Sequence, residues 1–138
     1  MRFENTLIVF LILLVLLALV HQYAMAWSLY KVYPWFDIPM HFWGGALVGL
    51  GTGTALFAKV FYRNPQTLFQ VMVWVLFVGG VWEVFEWYAG IAGVVTYLAS
   101  IIPDYHTLWV LDTVKDLVFD LCGGFVGYRV AIALSNNE

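Results

Sequence analysis

The sequence predicts an all-α, polytopic membrane protein: a bundle of four transmembrane helices with short interfacial helices on its outer side. Three observations carry that expectation. Of 138 residues, 63% are hydrophobic and 11% charged, less than half the roughly 25% charge of a soluble domain. Four apolar stretches approach the roughly 20 residues that a helix needs to cross the hydrocarbon core. Two of the connections are rich in Tyr and Trp, which favour the lipid headgroup level.

The first span, about residues 5–21 (NTLIVFLILLVLLALVH), has no internal charge. Ala24-Met25-Ala26 beyond it imitates a signal-peptide cleavage site, yet the segment is expected to remain as a span. In the connection from His21 to Phe36, Tyr23, Trp27 and Tyr30 fall at helical spacing, which predicts a short helix on the membrane surface. The second span covers about 37–61 and the third about 68–90. Between them YRNPQT, residues 62–67, is a polar turn whose Pro65 predicts an antiparallel hairpin. Residues 91–103 (IAGVVTYLASIIP) are too few to cross again, so an interfacial or re-entrant piece ending at Pro103 is expected. The fourth span covers about 108–135. All of residues 1–138 then form one transmembrane domain, with no room for a separate soluble module.

Orientation follows from the flanking cations. A cytoplasmic N-terminus puts Arg2, Lys59, Arg63 and Arg129 on the inner side, against Lys31 outside, as the positive-inside rule requires. The expected location is the plasma membrane, multi-pass, with both termini cytoplasmic. A net charge of −3 without a basic stripe excludes nucleic acid as a partner. The single cysteine, Cys122, excludes an internal disulfide or a Cys-based zinc site. It reads as a small buried apolar residue.

The acidic residues break the apolar pattern. Asp37, Glu83, Glu86, Asp112, Asp116 and Asp120 lie within spans or at their edges. An Asp at a helix centre costs about 2.5–3.5 kcal/mol on insertion scales, so these groups need a partner, a cation or a wet cavity. The topology brings them together. Asp37 and His41 open the second span, Glu83 and Glu86 close the third, and Asp112 to Asp120 run from the top of the fourth towards mid-depth. All fall in the outer half. Positions i, i+3 and i+4 share a helix face, which joins the ionisable residues to glycines on three stripes. These are Asp37, His41, Gly45, Gly49 and Gly53; Gly79, Glu83, Glu86 and Gly90; and Asp112, Asp116, Asp120, Gly123, Gly124 and Gly127. Glycines let membrane helices approach closely, so the inner halves should pack tightly and the carboxylates should face a cavity, with the first span as a wall.

Six carboxylates, one His and one Lys carry a formal charge of about −5 if every acid ionises, which demands protons or bound cations. Asp37, His41, Glu83, Glu86, Asp112, Asp116 and Asp120 are the candidate metal ligands. The oxygen-rich set suits a divalent cation such as Mg, Mn or Ca. The Glu-x-x-His motif of di-iron bundles does not occur. His41, Glu83 and Asp116 are candidate catalytic ligands or bases, and Lys115 is a candidate for holding an anionic substrate headgroup. Plainer roles compete: Asp37 as a helix cap, His41 as a hydrogen-bonded neighbour, Asp112 and Lys115 as a local pair. His21 and His106 read as interfacial.

DIPMHFWGGALVG, EVFEW and DTVKDLVFDLCGGFVG together resemble the VanZ-like and YjdF-like small membrane proteins of prokaryotes. Asp37, His41 and Phe42 match their first element, Glu83 the second, and Asp116, Asp120, Gly123 and Gly127 the third. Some relatives carry Asn where this chain has Asp120, and Gln or Arg near Glu86, so this pocket is the more acidic. The resemblance spans Asp37 to Gly127 and implies a cell-envelope protein; VanZ-like members are linked to low-level glycopeptide resistance. It supplies no reaction.

The first functional expectation is a metal-dependent hydrolase or transferase acting on a lipid or lipid-linked phosphate of the envelope. The alternatives are a non-catalytic binding or assembly subunit and a proton or cation conductor. The bilayer is the expected partner, and assembly as a homo-oligomer is left open.

Overall fold

The computed structural model describes residues 3–59, 65–89 and 104–135. Helix α1 runs over Phe3–Ala26, α2 over Leu29–Val32, α3 over Asp37–Lys59, α4 over Pro65–Ala89 and α5 over Tyr105–Ser135; a 3₁₀ turn at Pro34–Phe36 precedes α3. The protein is an all-α membrane bundle. Thr6–Ala26, Thr67–Tyr88 and Tyr105–Leu134 are each long and apolar enough to cross a membrane. Helix α3 packs along α5 and also touches α1 and α4, so it forms the centre of the bundle.

Several boundaries differ from the sequence expectation for local reasons. Helix α1 continues to Ala26 because residues 22–26 contain no helix breaker. The chain turns only at Ser28, whose φ of 55° is left-handed. The expected surface helix therefore shrinks to the four residues of α2, with Tyr23 still on α1 and Tyr30 on α2. Pro65 begins α4 rather than sitting in a turn, since proline at the first helical position loses no intrahelical hydrogen bond. Residues 60–64, part of the expected hairpin turn, and 91–103, the expected re-entrant piece, lie outside the described residues. Cys122 is exposed on α5, not buried; its neighbours in sequence face the core through Asp120, Gly123 and Gly124, which leaves position 122 on the outer face.

Helix α5 starts at Tyr105, three residues before the expected span, because Asp104 caps it. The Thr107 amide donates to its carboxylate at 3.0 Å and the His106 amide at 3.4 Å, satisfying donors that the first turn leaves free.

The closest contact in the bundle is between α3 and α5. A Cβ placed on Gly45 would collide with the carbonyl oxygen of Asp120, and one on Gly49 with that of Gly124. Reciprocally, Cβ atoms on Gly123 and Gly127 would strike the carbonyls of Phe42 and Ala46. The paired positions advance together along both chains, so the two helices are parallel. Backbone meets backbone here, and dispersion and Cα–H···O contacts replace side-chain packing. Helix α4 runs antiparallel to α5, with Gly79 beside Asp120 and Val75 beside Gly124. Val71, Val75 and Tyr128 form the apolar centre. Helix α1 lies on the periphery, with Phe10 against Gly51 and most of its large side chains exposed, as expected of a lipid-facing helix.

Two outcomes follow from these contacts. Gly123→Ala should lower the thermal unfolding midpoint in detergent strongly, by an overpacking cost of about 1–3 kcal/mol, whereas Gly44→Ala, whose new Cβ meets nothing within 4 Å, should not; equal midpoints would refute the glycine contact. The hydrogen bonds from the Thr107 hydroxyl and amide hold Asp104 below its ordinary value of 3.8. The cap therefore contributes fully above that value and is lost as pH falls below it. Hydrogen exchange at the His106 and Thr107 amides should accelerate on acidification, beyond the intrinsic trend, in the native chain but not in Asp104→Asn.

Candidate metal centre

The site is assembled where α3 and α5 begin and α4 ends, a consequence of the parallel and antiparallel packing just described. Asp37 and His41 stand one turn apart on α3. Glu83 and Glu86 share a face of α4, and Asp112, Asp116 and Asp120 descend one face of α5. All seven are buried, with Asp116 only 1% exposed. The seven residues picked from the sequence as candidate metal ligands therefore lie together.

His41 is the hub. Its Nε2 lies 3.5 Å from Asp37 Oδ1, 3.7 Å from Glu83 Oε1 and 4.0 Å from Asp116 Oδ2. Its Nδ1 lies 3.4 Å from Asp120 Oδ2. Both ring nitrogens therefore face carboxylate oxygens, Nδ1 that of Asp120 and Nε2 those of the other three acids. Lys115 is the second organiser. Its Nζ donates to Asp112 Oδ1 at 2.8 Å and to Asp37 Oδ2 at 3.3 Å, and lies 3.1 Å from Asp116 Oδ1. The Asp112–Lys115 pair is thus formed, and it reaches across to α3. Asp37 spends its carboxylate on His41 and Lys115.

Two neighbours orient the glutamates. The Thr113 hydroxyl donates to Glu83 Oε2 at 2.8 Å, and Trp82 Nε1 donates to Glu86 Oε1 at 2.7 Å. Neither was singled out from the sequence. The signal for Trp82 was its position one helical turn before Glu86; Thr113, one turn before Asp116, needed the register of α4 against α5. His21, read as interfacial, is half-buried and shares a 2.8 Å hydrogen bond with Tyr30, its ring edge against Trp82. Burial, reinforced by the charges of Asp37 and Glu86, pushes the Tyr30 phenol above its ordinary pKa, which keeps it a neutral hydrogen-bonding group at the rim.

Among the described residues, two buried polar atoms of the cluster, His41 Nε2 and Glu83 Oε1, have no hydrogen-bond partner, and Asp116 Oδ1 has only its ion pair with Lys115. Such atoms are costly to leave bare. Two sets converge closely enough to hold an ion, Asp37–His41–Asp116 and His41–Glu83–Glu86, each with its ligand atoms within 4.8 Å of one another. Ion–oxygen bonds of about 2.1–2.4 Å place ligand atoms roughly 3–4.8 Å apart around Mg²⁺ or Ca²⁺. The pocket therefore has the geometry and the donor set of a cation site.

A cavity of about 260 Å³ opens beside it, between α1, α3 and α4. Its walls are largely apolar, with Phe10, Leu14, Leu47 and Val75 among them, and Asp37, His41, Glu86 and Asp120 contribute its polar portion. Gly44 lines it, and its missing side chain leaves open space.

The chain belongs to the family described as predicted membrane protein (DUF2238), which matches residues 1–137. No curated protein and no solved structure matches it.

His41→Ala should remove the group on which four carboxylates converge and destabilise the protein at neutral pH by about 3 kcal/mol. Denaturant unfolding of the purified protein measures this; a loss no greater than that of a surface His106→Ala control would mean that His41 does not organise the cluster.

Proposed function

We propose that this membrane-embedded chain is a divalent-cation-dependent hydrolase or transferase acting on a lipid or lipid-linked phosphate in the outer leaflet of the cell membrane. The observation that carries the reading is the pair of buried, unpartnered ligand atoms, His41 Nε2 and Glu83 Oε1, 3.7 Å apart, on the wall of an apolar cavity between helices. A cation there satisfies both. The cavity offers the hydrocarbon part of an amphiphile a place while its polar group meets the acids. The resemblance to VanZ-like and YjdF-like proteins supports an envelope substrate, and the distribution of Lys and Arg supports an outward-facing pocket with cytoplasmic termini.

In this reading Asp120 fixes the His41 tautomer, so His41 serves as ligand through Nε2, an arrangement common at metal sites. Thr113 and Trp82 hold the ligating glutamates in place. A cation held by His41 and the glutamates would supply charge screening for the phosphate and a lowered pKa for a bound water, and Asp116, whose Oδ2 lies 4.0 Å from His41 Nε2, would be the carboxylate to take a proton. Lys115, at the edge of the cluster with 23% of its side chain exposed, contacts the anionic headgroup. Conduction fits less well: below Asp120 the α3–α5 seam is closed by glycine–carbonyl contacts, and α5 carries no further acid.

Elemental mass spectrometry of the protein purified in mild detergent should find stoichiometric divalent metal, lost in Glu83→Gln/Glu86→Gln. Phosphate release from lipid-linked phosphates should then require Mg²⁺ or Mn²⁺. Gly44→Phe, which fills the cavity, should abolish turnover and keep the metal. Metal without turnover of any amphiphilic phosphate would leave a binding or assembly subunit; no metal would end the enzyme reading.

A further inference from the structure

Resting on the cation site proposed above, we infer that the pocket takes one divalent ion, held by His41, Glu83 and Glu86, and that the Lys115 ammonium occupies the place of a second ion among Asp37, Asp112 and Asp116. Both ion-sized sets depend on His41. Only its Nε2 faces Asp37, Asp116 and Glu83, while Nδ1 faces Asp120. An imidazole nitrogen has one lone pair and binds one ion, so the two sets cannot both be completed through His41.

Charge placement decides between them. Lys115 Nζ lies 2.8 Å from Asp112, 3.1 Å from Asp116 and 3.3 Å from Asp37. Both carboxylates of the Asp37–His41–Asp116 set are thus already beside a positive charge, and a metal ion there would sit against the ammonium. The other set has no such occupant: Glu83 Oε1 and His41 Nε2 are buried and bare. Thr113 and Trp82 each bind one oxygen of their glutamate, which leaves the other oxygen to coordinate. The acidic cluster is therefore divided between two cations, one exchangeable and one tethered to α5.

The division has a chemical consequence. Two-metal sites clamp a phosphoryl group between two cations about 3.5–4 Å apart. Here the ammonium takes one of those positions. Its side chain is 23% exposed, so a phosphate oxygen reaching it would compete with Asp37, Asp112 and Asp116 for its three N–H groups.

Titration of the detergent-solubilised protein with Mn²⁺, followed by its paramagnetic resonance signal, tests the assignment. One Mn²⁺ per chain is expected, rising to two in Lys115→Met and remaining one in Lys115→Arg. Glu83→Gln should weaken binding by about tenfold or more, while Asp112→Asn should leave it nearly unchanged; this comparison holds even if Lys115→Met fails to fold. Two Mn²⁺ per wild-type chain, or a larger loss in Asp112→Asn than in Glu83→Gln, would overturn the inference and leave the cation site standing. No Mn²⁺ bound to the wild type would remove both.

Discussion

The rest of the structure depends on the backbone contact between α3 and α5. Carbonyl oxygens of each helix occupy the space where the other would carry a Cβ, so the two axes are held at a separation no side chain would permit. That contact fixes the rotation and the register of both helices. Asp37 and His41 lie about two turns and one turn before Gly45 on α3, and Asp116 and Asp120 about two turns and one turn before Gly123 on α5. Because the helices are parallel and locked in register, the acids arrive at one level. Packing by large side chains would leave room for a slip of a turn, about 5.4 Å, and such a slip would separate His41 from Asp116 and Asp120.

Close packing below and charge above are two solutions to the same problem. Lipid offers neither water nor counterions, so a polar group must be satisfied within the protein. In the lower part of the seam the chain removes side chains altogether. In the upper part it brings like charges together and relies on His41 and Lys115 to hold them. The bare atoms that remain, on His41 and Glu83, are where that compensation is incomplete. A half-satisfied polar cluster in a low-dielectric interior is a poor structural device, which is why a role in ligand binding fits it better than one in stability.

Much of this was legible in the sequence, and unevenly so. The long helices followed from uninterrupted apolar runs. The candidate ligands followed from the cost of burying charge combined with helical spacing and an alternating topology, and all seven indeed converge. Boundaries were less legible, because they are set by single residues: Ser28 turning into left-handed geometry, Asp104 capping α5, Pro65 opening α4. Thr113 was missed because its partner Glu83 lies thirty residues away, on a helix whose register against α5 no local pattern specifies. Cys122 was misplaced for a related reason. Its chemistry suggests burial, yet the glycines beside it claim the inner face of α5 and turn it outward.

The tie from Lys115 to Asp37 spans 78 residues, and this has a consequence for biosynthesis. Helix α3 leaves the ribosome with Asp37 and His41 already on it, long before α5 exists to cover them. Helix α1, free of charge within its span, can enter the bilayer by itself. Helix α3 cannot settle finally until the last helix delivers its ammonium and its glycines. The contacts thus divide the helices into one whose apolar span needs no partner for charge, α1, and one whose acids and glycine face are completed only by α5. A truncation that removes α5 would leave more than a smaller bundle. It would leave Asp37 without its ammonium and His41 without two of the carboxylates it faces.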